Sequence, residues 1–204
     1  MSSIPQLMSG RALEHGIGMM VNHGGTGSDA IMYVGGQAKA DVAAGATAGG
    51  ATTEVDLTEY VIPAGSLVAG STIRARYVVV ASAMAGGTDN LIIDLTLGAS
   101  ATGASNESTV VNAAFDVNSV GDCSTGDVII QIRTAGASGT AVAWGQLSNP
   151  DTSGVLAGVS YFKASFAVNT TVANYLTVTG KWSNANANLC TTQGFVVDIV
   201  NPST

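Results

Sequence analysis

Apolar and polar residues alternate through most of the chain. From Ile73 the apolar positions are Ile73, Ala75, Tyr77, Val79 and Ala81, with Arg74 and Arg76 between the first of them. After turn residues Met84–Asn90 the pattern resumes as Leu91, Ile93, Leu95 and Leu97, with Asp94 and Thr96 on the other face. A period of two sends one side of a strand to a core and the other outward. Upstream, Val55 and Leu57 alternate with Glu54, Asp56 and Thr58, and Pro63, Gly65 and Gly70 punctuate the connection as turn residues do. Downstream, Val111, Ala113, Phe115 and Val117 lead into a loop over Asn118–Asp127, followed by Val128, Ile130 and Ile132. Val142 and Trp144 share a face within Thr140–Leu147, and Asn149–Gly154 has turn composition. Phe162, Ala164, Phe166 and Val168 oppose Tyr161, Lys163 and Ser165; Leu176, Val178 and Trp182 mark the next strand, and Phe195, Val197 and Ile199 the last. The pattern predicts eight or nine strands, and no stretch after residue 50 holds a helical period. The expected fold is all-β, an antiparallel β-sandwich of jelly-roll type. Without crossover helices, a parallel α/β sheet is excluded.

The first 50 residues read differently, so two units are expected: an extended Gly/Ala-rich N-terminal arm over 1–50 and the sandwich over 51–204. Leu7, Met8, Ala12 and Leu13 hint at a helix that Gly10, Gly16 and Gly18 break. Ala30–Val34 has the makings of a short strand, and 35–53 reads as extended chain. Flexible thioethers on an extended segment suit packing against a partner. Leu7, Met8, Leu13, Met19, Met20 and Met32 are therefore the candidate contacts of the arm, against the plainer reading of a flexible tail.

Composition sharpens this. The 204 residues are 46% hydrophobic and 10% charged, with 26 glycines, where a typical domain carries about 25% charge. A chain this poor in charge covers its apolar faces by assembly. The net charge is −7 and no basic run occurs, which argues against direct nucleic-acid binding. Apolar runs fall far short of the roughly 18 residues of a membrane span. The opening MSSIPQLMSGRALEHG lacks the basic-then-apolar order of a signal peptide, so synthesis in the cytoplasm is expected. Cys123 and Cys190 have no metal spacing. Free thiols are the favoured reading and a disulfide between them stays open.

The stretch YVIPAGSLVAGSTIRARYVVVASA (60–83), then GGTDNLIIDLTLGA (86–99), and near the end NYLTVTGKWSNANANLCTTQGFVVDIV (174–200), resembles the jelly-roll structural proteins of tailed bacteriophages. Such modules occur in head decoration proteins, head fibres and tail appendages. The resemblance covers about 150 residues and rests on turns and strands. It implies a non-enzymatic virion protein on the capsid surface: a decoration or cement protein that forms a homotrimer, binds the major capsid protein and needs no cofactor. The alternative it leaves is a receptor- or glycan-binding module of a tail fibre, spike or head fibre.

Catalytic and ligand-binding patterns are weak. His15 and His23 lack a third convergent ligand. The glycine–serine runs at Gly25–Ser28 and Gly136–Gly139 have no following helix, as a nucleophile elbow requires. Glu54, Asp56, Glu59 and Asp94 are the carboxylates to consider for glycan hydrolysis, and Glu54 and Asp56 sit on the solvated face of one strand. Thr88–Asn90 and Asp122–Asp127 are oxygen-rich turns compatible with calcium but without EF-hand spacing. Arg74 and Arg76 suit ion pairs, within the sheet or across a subunit interface, with Asp56, Asp94 and Arg133 as charged neighbours. Trp144 and Trp182 fall in phase with apolar faces, which favours core packing over a sugar-stacking platform.

Overall fold

The computed structural model describes residues 37–40, 45–50, 52–85, 89–102, 108–150 and 156–202. These form β1 (Gln37–Ala40), β2 (Thr47–Gly49), β3 (Val55–Ile62), β4 (Thr72–Ala83), β5 (Asp89–Gly98), β6 (Ser108–Val117), β7 (Cys123–Thr134), β8 (Gly139–Pro150), β9 (Leu156–Val168), β10 (Asn174–Trp182) and β11 (Leu189–Val200). No helix occurs among the described residues. The larger sheet runs β1-β11-β4-β7-β8-β9, with β2 also on β11, and the smaller runs β3-β10-β5-β6. All pairings are antiparallel. The chain changes sheet from β2 to β3, β3 to β4, β4 to β5, β6 to β7, β9 to β10 and β10 to β11, while β5–β6 and β7–β8–β9 run as hairpins. This is the expected antiparallel sandwich.

The alternating positions meet in one core. Ile73, Ala75, Tyr77 and Val79 from the larger sheet pack with Leu91, Ile93, Leu95 and Leu97 from the smaller, and Trp182, Tyr77 and Phe195 are the largest fully buried side chains. Between β3 and β4, Gly65 and Gly70 take φ of 71° and 89°, a region that glycine enters without steric cost. That turn docks on the β9–β10 connection through Gly65 N–H donating to the Thr170 carbonyl at 2.9 Å.

Three boundaries differ from the sequence reading. The loop expected over Asn118–Asp127 ends at Asp122, and β7 begins at Cys123. Its Ser124, Thr125 and Gly126 pair with Val79, Val78 and Tyr77 of β4. Gly126 is required there because the Tyr77 ring lies over it: a Cβ would stand 2.4 Å from a ring carbon. The turn expected over Asn149–Gly154 is strand through Pro150, and 151–155 lie outside the described residues. Finally, 37–40 and 47–49, assigned by sequence to the arm, are strands laid end to end along β11. Lys39 of β1 ties the two sheets together: its Nζ donates to Thr58 Oγ1 at 3.2 Å and to the Glu59 carbonyl, and lies 5.4 Å from the Phe195 ring centre. The rest of the arm, with Leu7, Met8, Leu13, Met19, Met20 and Met32, lies outside the described residues.

Candidate functional site

Arg74 and Arg76 stand on the outer face of the larger sheet. Arg74 Nε donates to Asp127 Oδ1 at 2.8 Å and Arg74 Nη2 binds the other oxygen, so a β4 guanidinium grips a β7 carboxylate with both arms. Arg76 Nη2 lies 3.4 Å from Asp198 Oδ2 on β11. These are cross-strand pairs within one sheet. Asp56 and Asp94 belong to the smaller sheet and are not the partners in either pair. The hydrogen bond from Arg74, ahead of its opposing burial, holds the Asp127 carboxyl below the usual carboxylate range.

Beside these charges lies an aromatic pair. Strand register aligns Phe162 (β9), Trp144 (β8), Ile129 (β7), Arg74 (β4) and Asp198 (β11) in one row across the sheet. The next row reads Ser160, Gln146, Asp127, Arg76 and Val196. Phe162 is 71% exposed and Trp144 37%. This overturns the expectation that Trp144 packs in the core with Val142, and that Phe162 shares a face with Phe166. For Phe162 the cause is a bulge in β9. Ala141 pairs with Phe166 but Ala143 pairs with Lys163, so two residues of β8 span three of β9. An extra residue reverses every side chain beyond it. Phe166 and Val168 stay in the core, Lys163 crosses to donate to the Thr109 carbonyl of β6, and Phe162 turns outward. On β8 the core positions are Ala141, Ala143 and Leu147, which leaves Trp144 on the outer face. Trp182 sits in the core as expected, 1% exposed.

The remaining candidates are engaged by the fold itself. Asp89 is buried and gathers donors from the loop after β10: Ser183 Oγ, Asn184 Nδ2 at 2.9 Å and Asn188 Nδ2 at 3.0 Å, besides the Asn90 amide at 2.8 Å. Burial pushes this carboxyl up, but those hydrogen bonds outweigh it and hold it below the ordinary range. Asp122, also buried, accepts the backbone N–H of Asn118 at 2.9 Å and of Ser119 at 3.0 Å. Both oxygen-rich turns thus spend their carboxylates on closing loops. Glu54 is held below the usual range first by a hydrogen bond from Asp94, against the effect of burial, and next by Lys181, whose Nζ lies 3.0 Å from Glu54 Oε1. The structure therefore joins two carboxyls that sequence reasoning left apart. Their partnership follows from β10 lying between β3 and β5, an order that spacing along the chain does not reveal. Asp94 is 3% exposed, and the Glu54 side chain is 19% exposed.

Cys123 and Cys190 are free thiols. They pair with adjacent positions on opposite sides of β4, Val80 and Ala81, and therefore point to opposite faces of the sheet. Gly136–Gly139 form the β7–β8 hairpin turn. His15, His23 and Gly25–Ser28 lie outside the described residues. Among the described residues no three His, Cys, Asp or Glu converge as metal ligands. Compared with known families and with curated proteins, the sequence matches no family model and no curated protein.

Proposed function

We propose that this chain is a non-enzymatic structural protein of a tailed-phage particle, a decoration protein that binds the major capsid protein and stabilises the head. The observation that carries the reading is the distribution of chemistry over the sandwich. The buried carboxylates Asp89 and Asp122 and the Glu54–Asp94 pair are committed to the fold, while aromatic and aliphatic side chains stand exposed on the larger sheet. Such a protein works through its surfaces. The turn and strand pattern over 60–99 and 174–200 gives the reading its viral setting, and the charge-poor composition supports assembly. In this reading Leu7, Met8, Leu13, Met19, Met20 and Met32 reach over neighbouring capsid subunits, the protein sits on the virion surface as a homotrimer, and linking neighbours raises the barrier to shell rupture.

A second reading, an adhesion module that binds glycans or a receptor, is favoured by the exposure of Trp144 and Phe162. One experiment separates the two. Purified protein is mixed with undecorated heads and, separately, with host cells, and both are examined by pull-down and negative stain. Regular density on heads without cell binding is the expected result. A variant beginning at Gln37 keeps β1 and β2 and should lose head binding. Retention by that variant removes the arm from the mechanism, and cell binding without head binding replaces the whole reading with adhesion.

A further inference from the structure

The rows Phe162–Trp144–Ile129 and Ser160–Gln146–Asp127 lie on one face that ends at β9, the edge strand of the larger sheet. We propose that this face binds a second copy of the chain, the two sheets stacking face to face. The proposal rests on the assembly reading above and assigns a pairwise contact, distinct from the contacts that close the trimer of that reading.

Charge selects the occupant. The protein carries a net charge of −7, so two copies repel over most approaches. On this face Arg74 and Arg76 are balanced by Asp127 and Asp198, and the two rows are neutral. It is a surface that an identical acidic chain can approach without net repulsion. The arrangement can be self-complementary. Guanidinium groups stand on β4 and carboxylates on its neighbours β7 and β11, so a copy related by a two-fold axis over the seam between β4 and β7 sets β4 guanidinium groups opposite β7 carboxylates and the reverse. Exposed pairs exchange partners cheaply because each is already half in water.

Size and apolarity fit as well. Five strands of 12 or 13 residues, from β9 to β11, make up the face. At strand spacings of about 4.8 Å and rises of about 3.4 Å per residue this gives on the order of 900 Å², comparable with the roughly 800 Å² per partner of a stable interface. Its aromatic pair is of the kind that anchors such interfaces, and the side-chain amides of Gln131 and Gln146 flank it.

The test is sedimentation velocity on the full chain from 1 to 100 µM (about physiological salt), with the double variant Trp144→Ser/Phe162→Ser and, separately, Arg74→Glu. The wild type should sediment as a dimer or larger species, and both variants should shift the dissociation midpoint upward by at least tenfold. Acrylamide quenching supplies an independent reading: Trp144 should become shielded as concentration rises, while Trp182 stays shielded throughout. Circular dichroism checks that the variants fold, and Arg74→Glu keeps the test decisive if the double variant does not. A monomer at 100 µM, an assembly unchanged in both variants, or a monomer whose Trp144 is shielded by added oligosaccharide overturns the proposal. Head binding by the wild type is scored separately, so loss of the self-association face and loss of the capsid reading are told apart.

Discussion

On the outer face of the smaller sheet, Asp94, Thr96, Thr177 and Thr179 are 0–3% exposed; on the outer face of the larger one, Trp144 is 37% exposed and Phe162 71%. Polar residues are closed in where a sandwich ordinarily meets water, and aromatic residues stand out where polar ones are ordinary. Burying a hydroxyl or carboxyl costs free energy unless it is hydrogen-bonded. Exposing a large ring forgoes roughly 25 cal/mol for each Å² left uncovered. Neither arrangement suits an isolated two-layer sandwich, and the two differ in what completes them. The smaller sheet is already closed within the chain. On the self-association proposal, the larger sheet is completed by a second copy of the chain. In that proposal contact with partners belongs to the larger sheet, while Asp94, Thr96, Thr177 and Thr179 of the smaller stay buried within the chain.

The two tryptophans break this comparison most sharply. Trp182→Ala should cost about 3–5 kcal/mol, the range for emptying a well-packed aromatic site, because Trp182 is 1% exposed in the core. Trp144→Ala should change monomer stability by less than about 1 kcal/mol. Urea denaturation at low protein concentration measures both. Equal losses at the two sites would mean that Trp144 is part of the monomer core after all. The next contrast introduces a charge. Thr179 is 0% exposed, so Thr179→Lys should cost about 3 kcal/mol, since an ammonium there has no route to water. Gln146 is exposed on the larger sheet, and Gln146→Lys should stay within about 0.5 kcal/mol. A well-tolerated Thr179→Lys would mean that the smaller sheet's outer face opens in solution.

Much of this fold was legible from alternation, because β4, β5, β10 and β11 keep their phase through the positions that fill the core: Ile73 to Ala81, Leu91 to Leu97, Leu176 to Trp182, Phe195 and Val197. Phase is a local property, and it survives wherever pairing is regular. It failed at β9, where nothing in Ala164–Ser165 marks an extra residue; the bulge is visible only against β8. That single shift moved Phe162 from the expected core to the most exposed aromatic position of the candidate face. The ion pairs show the same limit. Arg74 and Arg76 were legible as cross-strand partners, but Asp127 and Asp198 are 53 and 122 positions away. Naming them requires the order β11-β4-β7. Gly126 in a strand became intelligible only once Tyr77 lay above it. The arm residues proposed to meet the capsid rest on sequence alone.

Asp89 offers the subtlest test of how buried polar groups are stabilised. Its carboxylate holds Ser183, Asn184 and Asn188 of the β10–β11 loop against the start of β5. Asp89→Asn should cost about 1–3 kcal/mol at pH 7, because an amide cannot accept from so many donors and some are left unpaired. Because its folded pKa is depressed, the contribution is complete above the unfolded value of about 3.9 and is lost as pH falls through the folded value. Glu54 and Asp127 are shifted the same way and Glu59 the opposite way, so the acid response of the wild type alone does not isolate Asp89. The difference between wild type and Asp89→Asn does, since the other carboxyls are common to both. Urea midpoints should therefore converge as pH is lowered from 7 toward 3. A difference that holds constant or widens toward acid would show that shape, rather than the charge on Asp89, secures the loop.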